Sequence, residues 1–274
     1  MSFRFLSIVL LCAAPASARI LRVCADPNNL PFSNKAGEGF ENRLAELVAR
    51  HLGAALDYTW WPERKSFVEK SLNQGNCDLL LGVPSQLASV RTTRPYYRST
   101  YVFVSRKDRH LRVSSLLDAA LEKYRIGIQV VGDNYAPPAQ LLARRGLTAN
   151  LVGYSLFGNA GEPNPGAGII AAVDRGDVDI AIVWGPFAGY FAKHNKIALV
   201  MAPVAPAAFA GVPFMYDISL AVRKQDAALA TEVDQALARN CEAITSLLTN
   251  YGIPQVPEGG LPCESSQASS ASSH

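Results

Sequence analysis

Apolar residues along the chain form short runs that alternate with helical patterns, as in folds where strands and helices follow one another. Residues 176–192 (GDVDIAIVWGPFAGYFA) contain a turn, a continuously apolar strand at 178–183 and then aromatic residues at helical spacing. Residues 75–85 (GNCDLLLGVPS) repeat the turn and the apolar strand. Strands that are apolar on both faces are typical of parallel sheets covered by helices. The pattern therefore predicts an α/β fold with two such units.

The same patterns predict the other elements. Strands are expected at residues 21–25, 55–61, 78–83, 99–105, 125–130, 149–153, 178–183, 197–201 and 218–222. Helices are expected before Gly53 and at residues 66–73, 116–121, 136–145, 169–173, 187–194 and 227–249. We interpret this order as two lobes between which the chain crosses twice. The first lobe comprises residues 19–105 and 222–263, the second lobe residues 106–221, and a disordered tail residues 264–274.

The N-terminus has the pattern of a secretory signal peptide at residues 1–18. Arg4 gives a basic start, an apolar run follows at 5–14, and Ala16-Ser17-Ala18 forms a small-residue cleavage motif. The apolar run is too short to span a bilayer. We expect cleavage after Ala18, export to the periplasm and no membrane insertion, with a retained helical anchor as the alternative.

Export makes disulfide bonds the favoured use of the cysteines. Once Cys12 leaves with the signal peptide, four remain: Cys24, Cys77, Cys241 and Cys263. An even number in an oxidising compartment is typical of two disulfides, and three pairings are open. We favour Cys24 with Cys77, because Cys24 lies in the first predicted strand and Cys77 opens the next core strand, and Cys241 with Cys263. No C-x-x-C motif or histidine cluster supports the alternative, a metal site.

Charge and motifs exclude several classes of function. The formal net charge is +3 over 274 residues, and no run of Lys or Arg is interleaved with aromatic residues. Nucleic acid is therefore not expected as a partner. The chain contains no H-E-x-x-H, G-x-S-x-G, P-loop or G-x-G-x-x-G motif. We expect binding rather than catalysis, with no metal and no cofactor.

Candidate binding residues follow the ends of the predicted strands, where ligands bind in open α/β sheets. They combine aromatic rings with polar groups that could line one cleft between the lobes. The candidates are Asp26, Asn28, Phe32, Pro84, Tyr96, Tyr97, Arg98, Gln129, Asp133, Trp184 and Pro186. Each has a structural alternative: Trp184 as part of the core, Arg98 in a surface ion pair, Asp26 in a turn.

In their order along the chain, these motifs resemble the type II periplasmic solute-binding proteins over essentially the whole mature length. They are D-P-x-x-x-P-F-S, G-F-E-N-R-L-A, C-D-L-L-L-G-V-P, R-P-Y-Y-R-S-T-Y-V-F-V, R-I-G-I-Q, D-V-D-I-A-I-V-W-G-P-F-A-G-Y-F-A and Y-G-I-P. Residues 94–101 and 183–186 are similar to the MoxJ/XoxJ-type (MxaJ-like) branch, periplasmic accessory proteins of PQQ methanol dehydrogenase systems. The resemblance implies a two-lobed fold with mixed sheets flanked by helices and a cleft between the lobes.

Two departures from the amino-acid-binding members argue against ordinary amino-acid capture. Those proteins use an arginine ahead of the Pro-Tyr motif for the α-carboxylate of the substrate, but residues 85–90 contain no arginine. They use an acid after the later strand of the second lobe for the α-ammonium, where this chain has Trp184-Gly185. A zwitterion buried without either partner would be strongly disfavoured.

The resemblance implies an accessory protein that assists maturation, activation or electron-transfer coupling of a PQQ-dependent methanol dehydrogenase. The dehydrogenase would be the partner, with its cytochrome c as a second candidate. One alternative is the substrate-binding receptor of an ABC transporter for a small non-amino-acid solute. Another is a hydrolase or transglycosylase on the same fold that uses a cleft carboxylate such as Asp26 or Asp133.

Overall fold

The computed structural model describes residues 19–63, 66–131, 134–157 and 164–256. The predicted signal peptide, Asp133, Cys263 and the predicted disordered tail lie outside these residues. The fold is mixed α/β, with one large mixed sheet flanked by helices, as the sequence predicts.

Most helices and strands lie within a few residues of their predicted positions. The strands are β1 (Arg19–Ala25), β2 (Asn28–Asn29), β3 (Ser33–Asn34), β4 (Ala54–Trp60), β5 (Leu79–Pro84), β6 (Arg91–Thr92), β7 (Tyr97–Arg106), β8 (Ile126–Val131), β9 (Asn134–Tyr135), β10 (Leu151–Ser155), β11 (Ile180–Trp184), β12 (Leu199–Pro203), β13 (Ala208–Phe209), β14 (Val212–Pro213) and β15 (Met215–Val222). The helices are α1 (Phe40–His51), α2 (Phe67–Lys70), α3 (Pro137–Arg144), α4 (Gly168–Arg175), α5 (Gly185–Lys193), α6 (Ala227–Arg239) and α7 (Cys241–Asn250).

Two groups of parallel strands form the ends of the large sheet. Its main order is β10-β8-β11-β7-β15-β5-β1-β4. In one group β1 lies between β4 and β5, and in the other β8 lies between β10 and β11. We call β1, β4 and β5 with α1, α6 and α7 the first half, and β8, β10 and β11 with α3, α4 and α5 the second half. The two apolar strands noted in the sequence, β5 and β11, lie in different halves.

The antiparallel strands β7 and β15 connect the halves. Residues 97–100 of β7 pair with residues 215–218 of β15, whereas residues 101–106 pair with β11 and β12. The C-terminal part of β15 pairs with β5. The backbone thus passes twice between the two groups of parallel strands. The predicted lobe boundaries at 105/106 and 221/222 stay a prediction, because strand pairing alone does not mark a lobe boundary.

Both faces of β11 are buried, as its continuously apolar sequence predicts. Ile180 and Ile182 pack in one apolar cluster, and Ala181 and Val183 pack in another on the opposite face. Helix α3 contributes to the first of these clusters, and helices α4 and α5 contribute to the second. Trp184, at the end of the strand, contacts three of the four apolar clusters formed by the described residues. The end of β11 is therefore held firmly in place.

The prediction of a single helix at residues 227–249 is wrong, because the helix is interrupted at Asn240 and forms α6 and α7. Asn240 adopts φ −114° and ψ 18°, and its Nδ2 donates to the carbonyl oxygen of Ala236 at 2.8 Å. Such side-chain bonds to the backbone compete with continuation of a helix. Both helices still pack on the first half, through residues such as Val233 and Leu248.

Residues 251–256, which we call the C-terminal segment, lie across both halves. The N–H of Val256 donates to the carbonyl oxygen of Arg98 on β7 at 3.1 Å. At Gly189 the backbone of α5 lies so close to the segment that a Cβ there would be 1.9 Å from the oxygen of Gly252. Only glycine fits at position 189 without displacing the backbone of the segment.

The disulfide predicted between Cys24 and Cys77 is confirmed. It joins β1 to the residues just before β5 and is buried in an apolar cluster that includes Phe67 and Leu72. The second predicted bridge, from Cys241, stays a prediction because Cys263 lies outside the described residues.

Replacing both Cys24 and Cys77 with Ala should lower the free energy of unfolding by about 4 kcal/mol, because the bridge restricts the unfolded chain over a separation of 53 residues. Urea unfolding of the mature chain, followed by circular dichroism, measures this loss. Reduced wild-type protein is the control, and its free energy of unfolding should fall by at least as much. A loss below about 1 kcal/mol would contradict the role given to the bridge.

Candidate functional site

Strand ends from both halves surround one cavity of about 840 Å³. The ends of β5, β8 and β11 contribute Pro84, Gln129 and Trp184, while the crossing strand β15 contributes Tyr216. The loop after β1 adds Phe32. Cavities of this volume are typical of small-molecule sites, and the carboxyl ends of parallel strands are where such sites form.

Aromatic rings line much of this cavity. Trp184 ends β11 directly opposite Tyr101 of β7 in the antiparallel pairing, and the two ring centroids lie 5.3 Å apart. Tyr216 of β15 approaches Trp184 from another side, at 5.8 Å. Phe32 meets Phe187 of α5 edge to face at 5.1 Å. We call these five rings the aromatic wall.

The glutamates Glu41 and Glu63 also line the cavity. Glu41 lies in the first turn of α1, and its Oε1 accepts a hydrogen bond from the Tyr96 hydroxyl at 3.4 Å. Its carboxylate lies against the backbone of Gly82 on β5, where a Cβ would be 2.3 Å from Oε1. Gly82 therefore makes the room that this carboxylate occupies.

Glu63 follows β4 and is fixed by the loop after β1. Its Oε2 accepts a hydrogen bond from Asn29 Nδ2 at 2.9 Å, and its backbone N–H donates to Asp26 Oδ2 at 2.6 Å. Two carboxylates, those of Glu41 and Glu63, thus enter one cavity.

Their surroundings raise the pKa of both glutamates. For Glu41, loss of hydration raises the pKa well above its usual value of 4.5. The charge of Glu63 raises this pKa further, while the hydrogen bond from Tyr96 lowers it. For Glu63, loss of hydration and then the charge of Asp26 raise the pKa to about 7, while the hydrogen bond from Asn29 lowers it. Glu63 as a residue is open to solvent at the cleft, so solvent screening limits what this shift contributes to stability.

Gln129, near the end of β8, is buried in the cavity lining with 1% of its surface exposed. Its Oε1 accepts a hydrogen bond from the backbone N–H of Trp184 at 2.7 Å, which fixes the side chain. Its Nε2 is buried and has no hydrogen-bond partner among the described residues. A buried donor without a partner is costly, so this amide favours a ligand that brings an acceptor.

Five of the residues predicted to line a cleft do line the cavity. They are Phe32, Pro84, Tyr97, Gln129 and Trp184. Tyr97 is almost fully buried, and the pKa of its phenol is raised well above the usual value by burial and then by the charges of Glu41 and Glu63. Whether these residues bind a ligand stays a prediction.

The other predicted residues that the structure describes do not line the cavity. Asp26 accepts hydrogen bonds from the backbone of Asn28 and Glu63, and the Asn28 side chain accepts one from Asn164 N at 3.2 Å. Arg98 forms a bidentate ion pair with Asp217, at 2.6 and 2.8 Å. The Tyr96 hydroxyl donates a hydrogen bond to Glu41, and Pro186 is buried in the first turn of α5. Asp133 lies outside the described residues.

Sequence reasoning missed several residues that line the cavity. They are Asn29, Glu41, Glu63, Tyr101, Phe187 and Tyr216. Glu41 belongs to the G-F-E-N-R-L-A motif already noted, and that motif was the available signal.

Metal binding and membrane insertion find no support in the described ranges. No group of three or more His, Cys, Asp or Glu residues there is arranged to hold a metal ion. None of the helices in these ranges has both the length and the apolar character that a membrane span needs.

Comparison with known proteins agrees with this architecture. Residues 21–246 match the bacterial extracellular solute-binding proteins, family 3. The chain is 30% identical over 258 residues to Protein MoxJ of Methylorubrum extorquens, which covers 89% of this chain and 84% of the relative.

Two solved structures are similar over most of the chain. MxaJ from Methlophaga aminisulfidivorans MPT has a TM-score of 0.74 at 28% identity, with 86% of this chain and 100% of that chain covered. The periplasmic binding protein XoxJ from Methylobacterium extorquens AM1 has a TM-score of 0.72 at 30% identity, with 87% and 100% covered.

The raised pKa of Glu63 has a consequence for stability against pH. The folded chain holds this proton more tightly than the unfolded chain, so the stabilisation is complete below about pH 4.5 and is lost as the pH rises through about 7. Glu63→Gln should reduce this fall in the free energy of unfolding. Urea unfolding at a series of pH values measures it.

The control for this series is Glu242→Gln, which alters an exposed glutamate on α7. The control should keep the wild-type dependence on pH. If Glu63→Gln kept it too, the environment assigned to Glu63 would be wrong.

Proposed function

Because the chain belongs to the bacterial extracellular solute-binding proteins, family 3, and is a MoxJ-like type II periplasmic binding protein, we propose that it is an accessory protein of a quinoprotein methanol dehydrogenase. It acts in the periplasm, after cleavage of the signal peptide behind Ala18. It assists maturation, activation or electron-transfer coupling of the PQQ-dependent dehydrogenase by binding, with no catalysis of its own. The cytochrome c of the dehydrogenase is the second candidate partner.

The observation that carries the proposal is the lining of the cavity in a chain so similar to MoxJ. Among the described residues that line it there is no Arg or Lys, so none of these would neutralise the α-carboxylate of an amino acid. Arg98, the one arginine among the predicted cleft residues, is engaged by Asp217 instead. This composition argues for a specialised ligand rather than a free amino acid.

In the proposed mechanism the aromatic wall and Tyr97 hold a segment of the dehydrogenase. Tyrosine and tryptophan side chains in desolvated pockets often dominate protein–protein binding energy. Trp184 is central to this arrangement because it contacts both Tyr101 and Tyr216 and is itself supported by Gln129. Binding of the segment would stabilise a conformation of the dehydrogenase that is competent for activation.

A second candidate function is the substrate-binding receptor of an ABC transporter for a small solute other than an amino acid. The specific observation in its favour is the cavity volume of about 840 Å³, which suits a small molecule. Such a receptor would bind its solute tightly without the dehydrogenase.

Trp184→Leu, combined with Tyr97→Phe, should lower activation of the dehydrogenase about tenfold or more, because it removes a central aromatic contact of the cavity. The measurement is recovery of the dehydrogenase from periplasmic extract of methanol-grown cells on the immobilised mature protein, with its activity assayed after remixing. Thermal unfolding of the variant checks that it folds.

The matched control is Met201→Ala, which alters an exposed apolar side chain on β12. Unchanged activation by the Trp184 and Tyr97 variant would rule out the cavity as the dehydrogenase site. Failure to recover the dehydrogenase, together with a thermal shift caused by one small solute, would favour the transport receptor.

A further inference from the structure

We infer that the cavity binds an organic cation, an ammonium or guanidinium group that lies near a carbonyl acceptor and carries no carboxylate. The inference rests on the proposed function in one respect, that this cavity is the binding site. It adds the chemical class of the ligand that the site binds.

The first observation is that acidic side chains enter the cavity without a basic partner in the described part of the chain. Glu41 and Glu63 accept hydrogen bonds from Tyr96 and Asn29, which are neutral donors. The described residues form no ion pair with either glutamate. Glu69 adds a third carboxylate to the lining. Like charges in one cavity repel, and a bound cation would relieve that repulsion.

The second observation is that the aromatic wall lines the same cavity as these acids. The faces of tryptophan and tyrosine rings attract cations, and the attraction strengthens where water is excluded. Trp184, Tyr101 and Tyr216 supply three such rings, packed edge to face. Acids and aromatic rings in one cavity suit an organic cation better than a bare metal ion, which requires several oxygen ligands.

The third observation is independent of the first two, since it concerns a neutral amide. Gln129 Nε2 is buried in the cavity lining and lacks a hydrogen-bond partner among the described residues, while Oε1 is already held by Trp184. The free donor calls for an acceptor on the ligand. A carbonyl near the cation meets this need.

Two sources could supply this chemistry. A lysine or arginine side chain of the dehydrogenase brings a cation together with backbone carbonyls, and a small amide-bearing amine brings the same groups. A free amino acid fits less well, because none of the described lining residues is a cation that would pair with its carboxylate.

Isothermal titration calorimetry of the mature protein with matched probes tests the inference. Nα-acetyl-argininamide carries the cation and the carbonyls, and Nα-acetyl-citrullinamide is its neutral isostere. We expect the cationic probe to bind at least about tenfold more tightly than the neutral one, because charge-assisted contacts are the stronger ones. Agmatine, which lacks the carbonyl, and L-arginine, which adds a carboxylate, should both bind more weakly than Nα-acetyl-argininamide.

Glu41→Gln and Glu63→Gln should each weaken binding of Nα-acetyl-argininamide about tenfold. Both changes keep the side-chain shape and remove a carboxylate that the folded chain disfavours, so both variants should fold, as thermal unfolding checks. Glu242→Gln on α7 is the matched control and should leave the affinity unchanged. Equal binding of the neutral and cationic probes, or no binding of any cationic probe, would overturn the inference.

Competition distinguishes the two sources. If the occupant is a side chain of the dehydrogenase, an excess of Nα-acetyl-argininamide should release the dehydrogenase from the immobilised protein. If it is a small amine, the probe should bind and the dehydrogenase should stay in place.

The inference and the proposed function can fail separately. If the Trp184 and Tyr97 variant abolished dehydrogenase activation but no cationic probe bound, the inference would fail and the proposed function would stand. If the cationic probe bound as expected but that variant left activation unchanged, the proposed function would fail and the inference would stand.

Discussion

The antiparallel pairing of β7 with β15 is the constraint on which the arrangement of the site depends. These strands carry the backbone between the halves, and the ion pair of Arg98 and Asp217 lies directly across their pairing. Beyond that point β7 pairs with β11, which sets Tyr101 beside Trp184. The C-terminal part of β15 pairs with β5, which positions Gly82 against Glu41. The cavity exists because one sheet continues through both halves.

Local sequence patterns were sufficient to predict the framework of this sheet. Continuous apolar runs identified β5 and β11, and the structure buries both faces of β11. The bridge between Cys24 and Cys77 was predicted from expected export, from Cys24 in the first predicted strand and from Cys77 at the start of the next core strand, and the structure confirms it. Phe32 and Trp184 were located at the cavity because they follow strand ends, and strand ends are where parallel sheets form their sites.

The acidic side of the cavity could not be predicted in this way. Glu41 lies in the first turn of a helix, where acids are common because they favour the helix dipole, so its position in the helix does not mark it as a cavity residue. Its place depends on Gly82, a residue of a different strand. Tyr216 likewise reaches Trp184 only through the tertiary fold. The break at Asn240 was missed because the apolar spacing continues through it, whereas the side-chain bond that accompanies the break is specific to that residue.

The C-terminal segment contacts both halves and holds them together. Tyr251 stacks on Tyr190 of α5 at 5.9 Å and also contacts Phe40 of α1. Directly before the segment, Lys193 Nζ donates to the carbonyl oxygen of Asn250 at 2.6 Å. Any rotation that moves α5 away from α1 must break or rearrange the contacts of this segment. The cost of opening the cavity is therefore set partly near the C-terminal end of the described chain, by residues that are not among those lining the cavity.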